Sequence, residues 1–460
     1  MDHGGGTLDD RAALARVEAA LAGRFPSRMV PDLDRITDLL DLLGSPNRAF
    51  PAIHVTGTNG KTTTARMADA LLREFGIRTG RYTSPHLESV TERIAIDGVP
   101  LDAAGFAATY DDIAPYLDLV DGRHPERVTF FEVLTAMAFA AFADAPVEVA
   151  VVEVGLGGRW DATNVLDAPV AVVTPIGLDH VGILGGTVEA IAAEKAGIVH
   201  AGAVMVQAPQ PPTAAAVLDA RAESVGATVV RAGVDFGVRA RHVAMGGQML
   251  ELEGLGGAYG EVFLPLYGAH QAGNAACALA AVEAFLGLAP GAGGAAEGRG
   301  PLDVETVRAA FAAVTSPARL EVVRRSPTVI LDGAHNPAGA AALADALEES
   351  FDFDRLVAVV AVLDDKDAAG LLEQLEPVVA SVVVTTNGSP RALPAAALAE
   401  VAADVFGDAR VEVAARLDDA IDRAVAAAET GPLGGGGVLV TGSIVTVGEA
   451  RHLLAPGSRG

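Results

Sequence analysis

The chain has 460 residues, of which half are hydrophobic and a fifth are charged. That balance is typical of globular domains with apolar cores. The 33 lysines and arginines against 59 aspartates and glutamates give a net charge of −26, which disfavours nucleic acid and anionic membranes as partners. We therefore expect any anionic ligand to be a small molecule held by local cations and backbone amides.

The cysteine content and the first residues of the chain indicate in which cellular compartment the protein acts. Cys277 is the only cysteine, so no disulfide can form within the chain, which fits a reducing interior. The first ten residues, MDHGGGTLDD, lack the basic run and apolar core of a signal peptide. No stretch of about 18 residues is apolar without interruption. These features predict a soluble, cytoplasmic protein.

Short runs rich in valine and isoleucine alternate with helical patterns from Pro51 onward. Such runs are typical of a mostly parallel sheet covered by helices on both faces. We predict strands over 52–56, 147–154, 170–174 and 204–206, and helices over 61–75, 187–197 and 213–225. After a linker-like stretch over 289–300 the alternation resumes, with strands over 328–331, 356–362, 381–385 and 438–441 and helices over 303–314, 337–350, 394–405 and 417–429.

The segment IHVTGTNGKTTT over 53–64 has the order of a phosphate-binding loop: apolar strand, glycines, lysine, hydroxyl, helix. The backbone amides, the helix N-terminus and Lys61 would together attract phosphate, and a threonine hydroxyl could reach Mg²⁺. The strict pattern GxxxxGK[ST] requires glycine where this chain has Val55, so the loop is a shortened variant. The alternative, a glycine-rich turn capping an ordinary helix, is less favoured because every part is present in order.

A carboxylate follows a second buried-strand pattern. The run VAVVE ends at Glu153, at the end of a strand where Mg²⁺ beside a phosphate loop needs an oxygen ligand. Alone, a strand that ends in an acid is common; with the phosphate loop upstream, the two are expected to be neighbours in an open α/β crevice. The predicted fold class is thus α/β, with a P-loop-containing, mostly parallel sheet domain followed by a smaller Rossmann-like α/β C-terminal domain.

Further segments carry a family pattern: HVTGTNGKTTT at 54–64, TSPHLESVTERI at 83–94, TFFEVLTAMAF at 129–139, EVGLGGRWDATN at 153–164, LDH at 178–180, EKAGI at 194–198, HQAGNAACAL at 270–279, LDGAHNP at 331–337, DDKD at 364–367 and TGSIVTVGEAR at 441–451. In sequence and order they resemble the dihydrofolate synthase/folylpolyglutamate synthase family, the folate branch of the Mur-ligase-like ATP-dependent amide ligases. EVGLGGRxDATN and DGAHNP are the most specific; GTNGKT alone would indicate only a Mur-like ligase.

The resemblance implies a reaction. ATP would phosphorylate a substrate carboxylate to an acyl phosphate, and the amino group of L-glutamate would displace phosphate to form an amide. The implied substrates are dihydropteroate, folates and L-glutamate, and the implied cofactors are ATP and two Mg²⁺ ions. The resemblance also implies a monomer.

The resemblance assigns roles residue by residue. The nucleotide contacts would be Thr58, Asn59, Gly60, Lys61 and Thr62 for the triphosphate, and Asn274, Arg319 and Asp332 for adenine, phosphate and ribose. Ser84 and Glu153 resemble ligands of one Mg²⁺, and His180 resembles a ligand of the second. Considered without the family, His180 is a typical structural loop residue, since Mg²⁺ prefers oxygen.

Two further groups have implied roles in catalysis and substrate binding. Lys195 matches a lysine that the family carbamylates, although on its own it suggests only a solvated helix residue, and His335 matches a residue near phosphate or the incoming glutamate. The pterin pocket of the family is matched by Val30, Pro31, Asp32, Thr129, Phe130, Phe131, Glu132, Trp160, Asp161 and Ala162. That match favours a bifunctional enzyme over one that only extends glutamate chains.

The hinge sets the expected domain boundary. The family's Pro-Gly-Arg reads Pro317-Ala318-Arg319 here, and alanine is less free than glycine in φ. We therefore expect an ATP- and pteroate-binding domain over 1–316 and a C-terminal domain over 317–460, with 289–300 as a loop inside the first.

Three other classes of protein fit these motifs less well. A peptidoglycan-precursor ligase carries a separate domain before the phosphate loop, for which residues before Gly57 leave no room. A P-loop switch or motor requires the strict loop pattern, which is imperfect here. A non-catalytic nucleotide-binding regulator would be expected to lose metal ligands, yet Ser84, Glu153 and His180 are all present.

Overall fold

The computed structural model describes residues 7–26, 30–289, 300–430 and 435–454. Within them the strands form an eight-stranded, a three-stranded and a six-stranded sheet. Residues 290–299, which hold most of the linker-like stretch, lie outside the described residues. No helix in the described ranges is long and apolar enough to cross a membrane.

The eight-stranded sheet carries the phosphate loop at its centre. Its strands are β1 (Ala52–Thr56), β2 (Thr79–Tyr82), β3 (Ile94–Ile96), β4 (Val99–Pro100), β5 (Val149–Glu153), β6 (Val170–Val173), β7 (Val204–Gln207) and β8 (Thr228–Arg231), in the order β4-β3-β2-β5-β1-β6-β7-β8. All neighbours are parallel except the pairs β2–β3 and β3–β4. The predicted mostly parallel sheet is confirmed, and β1 lies between β5 and β6.

Helices cover both faces of this sheet, which is why its central strands are apolar throughout. They are α1 (Leu8–Ala22), α2 (Asp34–Leu42), α3 (Lys61–Glu74), α4 (Ala103–Asp121), α5 (Phe130–Asp144), α6 (Val181–Leu184), α7 (Val188–Lys195), α8 (Pro212–Val225), α9 (Ala269–Phe285) and α10 (Val304–Ala312). Ile53 and Val55 pack in a core with α3 and α9, whereas Ala150 and Val152 pack in another with α4 and α5. Cys277 of α9 is buried.

A three-stranded antiparallel sheet follows, which the sequence analysis did not predict. It consists of β9 (Gly237–Ala244), β10 (Gly247–Glu253) and β11 (Ala258–Leu264), in the order β11-β10-β9. Leu250, Leu252 and Val262 join the core that contains α9. The sheet therefore extends the first α/β unit.

The six-stranded sheet forms the second α/β unit. Its strands are β12 (Glu321–Arg325), β13 (Thr328–Leu331), β14 (Arg355–Val360), β15 (Ser381–Val384), β16 (Val411–Val413) and β17 (Gly436–Thr441), in the order β12-β13-β17-β14-β15-β16. Only β12 pairs antiparallel within this sheet. Its helices are α11 (Pro337–Ser350), α12 (Ala368–Leu375), α13 (Ala395–Phe406), α14 (Leu417–Glu429) and α15 (Ile444–Leu454).

The segment between the two units contains the hinge motif. It runs from the end of α10 to the start of β12, and the domain boundary expected between residues 316 and 317 falls inside it; that boundary stays a prediction. Ala318 has φ +60° and Leu320 has φ +47°, so two non-glycine residues adopt the left-handed conformation in this short segment. Ala318 therefore takes a backbone conformation that glycine adopts more readily than alanine does.

Candidate active site

The phosphate loop joins β1 to α3 in the conformation that its glycines permit. Gly57 has φ +144° and Gly60 has φ +89°. A side chain at Gly57 would overlap Thr174, and one at Gly60 would overlap Asn274. The backbone can therefore pass close to both neighbours, and the N-terminus of α3 is left facing the cavity as an anion-binding site.

Two lysines converge on this loop. The Nζ of Lys61 donates to the carbonyl oxygens of Gly57 and Thr58, each at 3.0 Å. The Nζ of Lys195, in the last turn of α7, donates to the same Gly57 oxygen at 2.7 Å. Burial, followed by repulsion from Lys61, lowers the pKa of Lys195 to about 7. Burial also lowers the pKa of Lys61, although the charges of Glu153 and Asp179 oppose that shift.

Glu153 ends β5 beside the loop. Its register partner on β1 is Val55. One carboxylate oxygen accepts from the Thr62 hydroxyl at 2.9 Å, and the other accepts from the backbone N–H of Ser84 at 3.1 Å. Burial raises the pKa of Glu153 above its usual range, although the charge of nearby Lys61 opposes that shift. These contacts place one carboxylate and two hydroxyl-bearing residues beside the phosphate loop.

A polar cluster links the two α/β units across the cleft. Lys366 donates to Asp179 at 2.5 Å, and both side chains are buried. The Asn336 amide donates to Asp179 at 3.3 Å and to the Asn59 side chain at 3.0 Å. Burial alone would raise the pKa of Asp179, but His335 and Lys366 hold it well below its usual range.

His180 lies at the edge of this cluster. Its backbone is left-handed, with φ +49°, and its ring lies 3.9 Å from Asp179. Burial lowers the pKa of His180 to about 4, with Asp179 and Lys366 acting in opposite directions. The imidazole is therefore neutral near pH 7, and its Nε2 lies 3.4 Å from the Nζ of Lys366.

A cavity of about 130 Å³ opens between these groups. It brings together eleven of the residues proposed from sequence: Thr58, Asn59, Gly60, Lys61, Thr62, Ser84, Glu153, His180, Lys195, Arg319 and His335. They come from positions almost 280 apart in the chain and from both α/β units. The arrangement can hold a polyanion at the end of a helix beside lysine, arginine and carboxylate groups.

Asn274 and Asp332 lie outside the lining of this cavity. Asn274 is buried against Gly60 and donates to the Gln271 side chain at 2.9 Å. Asp332 accepts backbone N–H groups of Leu320 and Ala334, each at 2.9 Å. In this structure Asp332 therefore holds the hinge, and its proposed ribose contact stays a prediction.

The residues proposed for pterin lie in three segments, which are 30–32, the start of α5, and the loop that follows β5. Arg35 joins two of the three segments, since it pairs with Glu132 at 3.0 Å and with Asp32 at 3.2 Å. Thr129 and Glu132 form the capping box that starts α5. Val30 and Pro31 precede Asp32 in the chain.

Aromatic rings and a buried carboxylate complete this group. Phe130 stacks on Phe25 with ring centroids 4.4 Å apart, and Phe131 lies against Gly155. Asp161 is buried and accepts from the Leu156 N–H at 2.8 Å, whereas half of Trp160 is exposed and Ala162 is in the core. Asp161 therefore shapes the loop from within, so its direct contact with substrate stays a prediction.

Sequence reasoning missed three residues of the site, Asp179, Asn336 and Lys366. Each lies inside a segment that had been recognised, LDH, DGAHNP or DDKD. Their pairing could not be predicted from the sequence, because Asp179 and Lys366 are 187 positions apart.

Two family models match the chain. The Mur ligase middle domain matches residues 55–282, and the Mur ligase glutamate ligase domain matches residues 318–444. A phosphate loop on a parallel sheet, facing a second α/β unit across a cleft, is thus the arrangement of a Mur ligase.

Relatives narrow the class. A dihydrofolate synthase/folylpolyglutamate synthase of Mycobacterium tuberculosis is 53% identical over 97% of this chain and 95% of its own length. The solved structure of Mycobacterium tuberculosis folylpolyglutamate synthase with ADP has a TM-score of 0.92 and 53% identity, covering 97% of this chain and 99% of its own. An Escherichia coli structure with DHPP and ADP has a TM-score of 0.82 at 31% identity, covering 96% and 97%. The chain belongs to the dihydrofolate synthase/folylpolyglutamate synthase family, which confirms the assignment made from its motifs.

Proposed function

We propose that the protein is an ATP-dependent ligase that adds L-glutamate to dihydropteroate and to folyl(poly)glutamates, giving an amide, ADP and phosphate. The observation that carries this proposal is the single cavity in which the N-terminus of α3, Lys61 and Glu153 meet residues of the second α/β unit. A γ-phosphoryl group held there would meet a substrate carboxylate in a site that cations neutralise.

The phosphate loop would hold the triphosphate. Backbone amides of residues 58–62 and the α3 dipole would contact its oxygens, and Lys61 would leave the loop carbonyls for phosphate. Arg319 would add a second cation from the hinge. Asn274, which packs on the loop, and Asp332, which fixes the hinge, would serve adenine and ribose. ATP would then bind across both units, and closure would exclude water from the acyl phosphate.

Mg²⁺ fits the residues beside the loop. Thr62, Ser84 and Glu153 offer hydroxyl and carboxylate oxygens, and an ion held by one carboxylate takes its other ligands from phosphate and water. Among the residues that the structure describes, no three His, Cys, Asp or Glu side chains form a metal cage. When bound, the ion would supply phosphate neutralisation.

His180 and Lys195 would hold the second of two ions. The neutral imidazole of His180 can act as a ligand, and a carbamylated Lys195 would offer carboxylate oxygens in place of a cation. The lowered pKa of Lys195 supports this, because only the neutral amine reacts with CO₂. His335, 3.5 Å from Asp179, would lie near phosphate or the incoming glutamate.

The acceptor would bind between the loop that follows β5 and the start of α5, with its carboxylate directed at the cavity. We assign the pterin contacts to the three segments 30–32, 129–132 and 160–162. Because one chain supplies the whole cavity, we propose that the protein acts as a monomer. We also propose that it acts in the cytoplasm and on small molecules alone.

The decisive experiment measures ADP release by purified protein with ATP, Mg²⁺, L-glutamate and dihydropteroate. We expect turnover only when both glutamate and pteroate are present, and extension of a monoglutamylated reduced folate by mass spectrometry. Lys61→Ala should abolish turnover, because the phosphates lose a cation from the loop. ADP release that is equal without either acceptor would contradict the ligase reaction.

A further inference from the structure

A second cavity, of about 50 Å³, lies beside the first at the hinge. It is lined by Arg66 of α3, by Thr83 and Glu92, and by hinge residues that include Ala318 and Arg319. A water needs about 10–15 Å³ of such space, so this cavity has room for several waters or for one carboxylate group.

Two arginines at this hinge cavity have few hydrogen-bond acceptors. Arg66 has no hydrogen-bond or ion-pair partner among the described residues, and the hydrogen bond of Arg319 goes to the backbone oxygen of Ala318 at 3.0 Å. Arg66 remains a cation near pH 7, since burial and then the charge of Arg81 lower its pKa only to about 10.

Glu92 is the one carboxylate in the lining, all of which is described. Its oxygens already accept the backbone N–H groups of Leu87, Glu88 and Ser89 at 2.8–2.9 Å. Two guanidinium groups thus face a small cavity whose one carboxylate directs its oxygens to backbone N–H groups. Guanidinium donors that lack a hydrogen-bonded acceptor in a partly buried cavity indicate an anionic ligand.

The hinge cavity adjoins the site of reaction. Thr62, Pro85, Arg319 and Ile444 line both cavities. A folyl substrate that ends in glutamate presents its γ-carboxylate for reaction and carries an α-carboxylate four carbon–carbon bonds away, about 5 Å when extended. Dihydropteroate presents its only carboxylate for reaction and has nothing to place in the hinge cavity.

We propose that Arg66, at the end of the hinge cavity away from the phosphate site, binds the α-carboxylate of the terminal glutamate of folyl substrates, so that Arg66 favours chain extension over the first glutamate addition. The inference rests on the proposed function and names a specificity residue within it. A planar guanidinium and a carboxylate form a two-bonded pair, which suits Arg better than Lys at this position.

The test compares two acceptors on the same variants. For Arg66→Met we expect kcat/KM for a monoglutamylated reduced folate to fall about 10- to 100-fold, the loss for a charge-assisted hydrogen bond. The fall for dihydropteroate should be much smaller, and Arg66→Lys should recover part of the folate activity. Arg73→Met is the matched control, because Arg73 lies on the same helix but pairs with Asp69 at 3.3 Å.

Each other outcome has a distinct meaning. An equal fall for both acceptors, or no fall for either, would overturn the proposal. A raised KM for L-glutamate with both acceptors would overturn it too, since the bound carboxylate would then belong to the incoming amino acid. Failure of the proposed function itself would appear earlier, as wild-type protein that uses neither acceptor. ADP affinity, measured by calorimetry, should be unchanged in Arg66→Met, which excludes a misfolded loop.

Discussion

Thr163 connects β1 to the loop that follows β5. Its hydroxyl donates to Asp161 at 2.5 Å, and its oxygen lies 2.8 Å from Nε2 of His54. Because burial lowers the pKa of His54 to about 3, the imidazole is neutral and must donate through Nε2 to an oxygen whose own proton is committed. Through this chain, a strand residue far from the cavity fixes the position of Asp161.

Thr163→Val should remove both hydrogen bonds and keep the shape of the side chain. A buried donor and a buried carboxylate would each lose a partner, so we expect the free energy of unfolding to fall by about 2–3 kcal/mol. Thermal denaturation measures the change. Thr163→Ser, which keeps the hydroxyl, is the control, and equal melting temperatures for the two variants would contradict the network.

Lys195 should show pH-dependent modification. Its folded-state pKa is lowered from 10.5 to about 7, so the neutral amine that reacts with CO₂ becomes the major form above about pH 7. The unmodified folded protein also gains stability as pH rises from about 7 toward 10.5, where the unfolded chain still binds the proton.

We expect ¹³CO₂ to give a carbamate carbonyl signal by NMR at pH 8 that weakens below about pH 7. Lys195→Met should lack the signal. The same signal in that variant would assign the carbamate to another amine.

At the scale of elements, local pattern predicted most of the sheet and helix positions. The strands over 52–56 and 328–331 and the helices over 337–350 and 417–429 were predicted with their observed bounds, because apolar runs and caps are local signals. The antiparallel sheet was missed because Met245-Gly246, which joins its first two strands, lacks the Asn-Gly, Asp-Gly or glycine-first pattern of a two-residue hairpin turn. Its strands carry polar residues on the outer face and resemble loops in composition.

The site was predictable in its motifs and unpredictable in its pairings. The order of glycines, Lys61 and Thr62 is contained in six residues, so sequence alone indicates a phosphate site. The ion pair of Asp179 with Lys366 depends on how two sheets meet, and so does the lack of a hydrogen-bond partner for Arg66 among the described residues. No local spacing encodes either one.

The loop after β5 packs directly on α5. A side chain at Gly155 would overlap the ring of Phe131, so the two elements meet at backbone distance. We expect Gly155→Ala to lower the free energy of unfolding by about 1–3 kcal/mol and to raise KM for dihydropteroate, since the loop and ring must separate. Gly186→Ala, which has nothing within 4 Å, is the control. An unchanged KM would place pterin away from this loop.

At the scale of the whole molecule, an acidic protein holds a cluster of cations in one cleft. The net charge of −26 opposes anionic substrates at long range, but salt screens that field beyond about 8–10 Å. Inside the cleft, Lys61, Lys195 and Arg319 line the larger cavity, and Arg66 lines the hinge cavity. The cations in the cleft therefore decide how an anionic substrate is bound, and the net charge of the molecule matters less.

Helix α15 makes a close contact with the first α/β unit. A side chain at Gly448 would overlap the backbone oxygen of Leu87, which belongs to the first unit. Gly448→Ala should therefore hold the two units apart while slightly favouring its own helix, by about 0.5–1 kcal/mol.

We expect kcat/KM to fall at least about tenfold, and the radius of gyration from small-angle scattering with nucleotide to exceed that of wild type. Gly273→Ala, a helical glycine with nothing within 4 Å, is the control. A radius of gyration equal to that of wild type would show that the side chain at position 448 does not hold the two units apart.

Cys277 gives this family member a practical property. The thiol is buried in α9, and burial raises its pKa to about 12, so maleimide dyes should leave the native protein unlabelled. One cysteine placed on each α/β unit would then carry a donor and an acceptor fluorophore without a competing site. The opening and shutting of a single enzyme molecule could be followed during turnover, with the natural sequence otherwise intact.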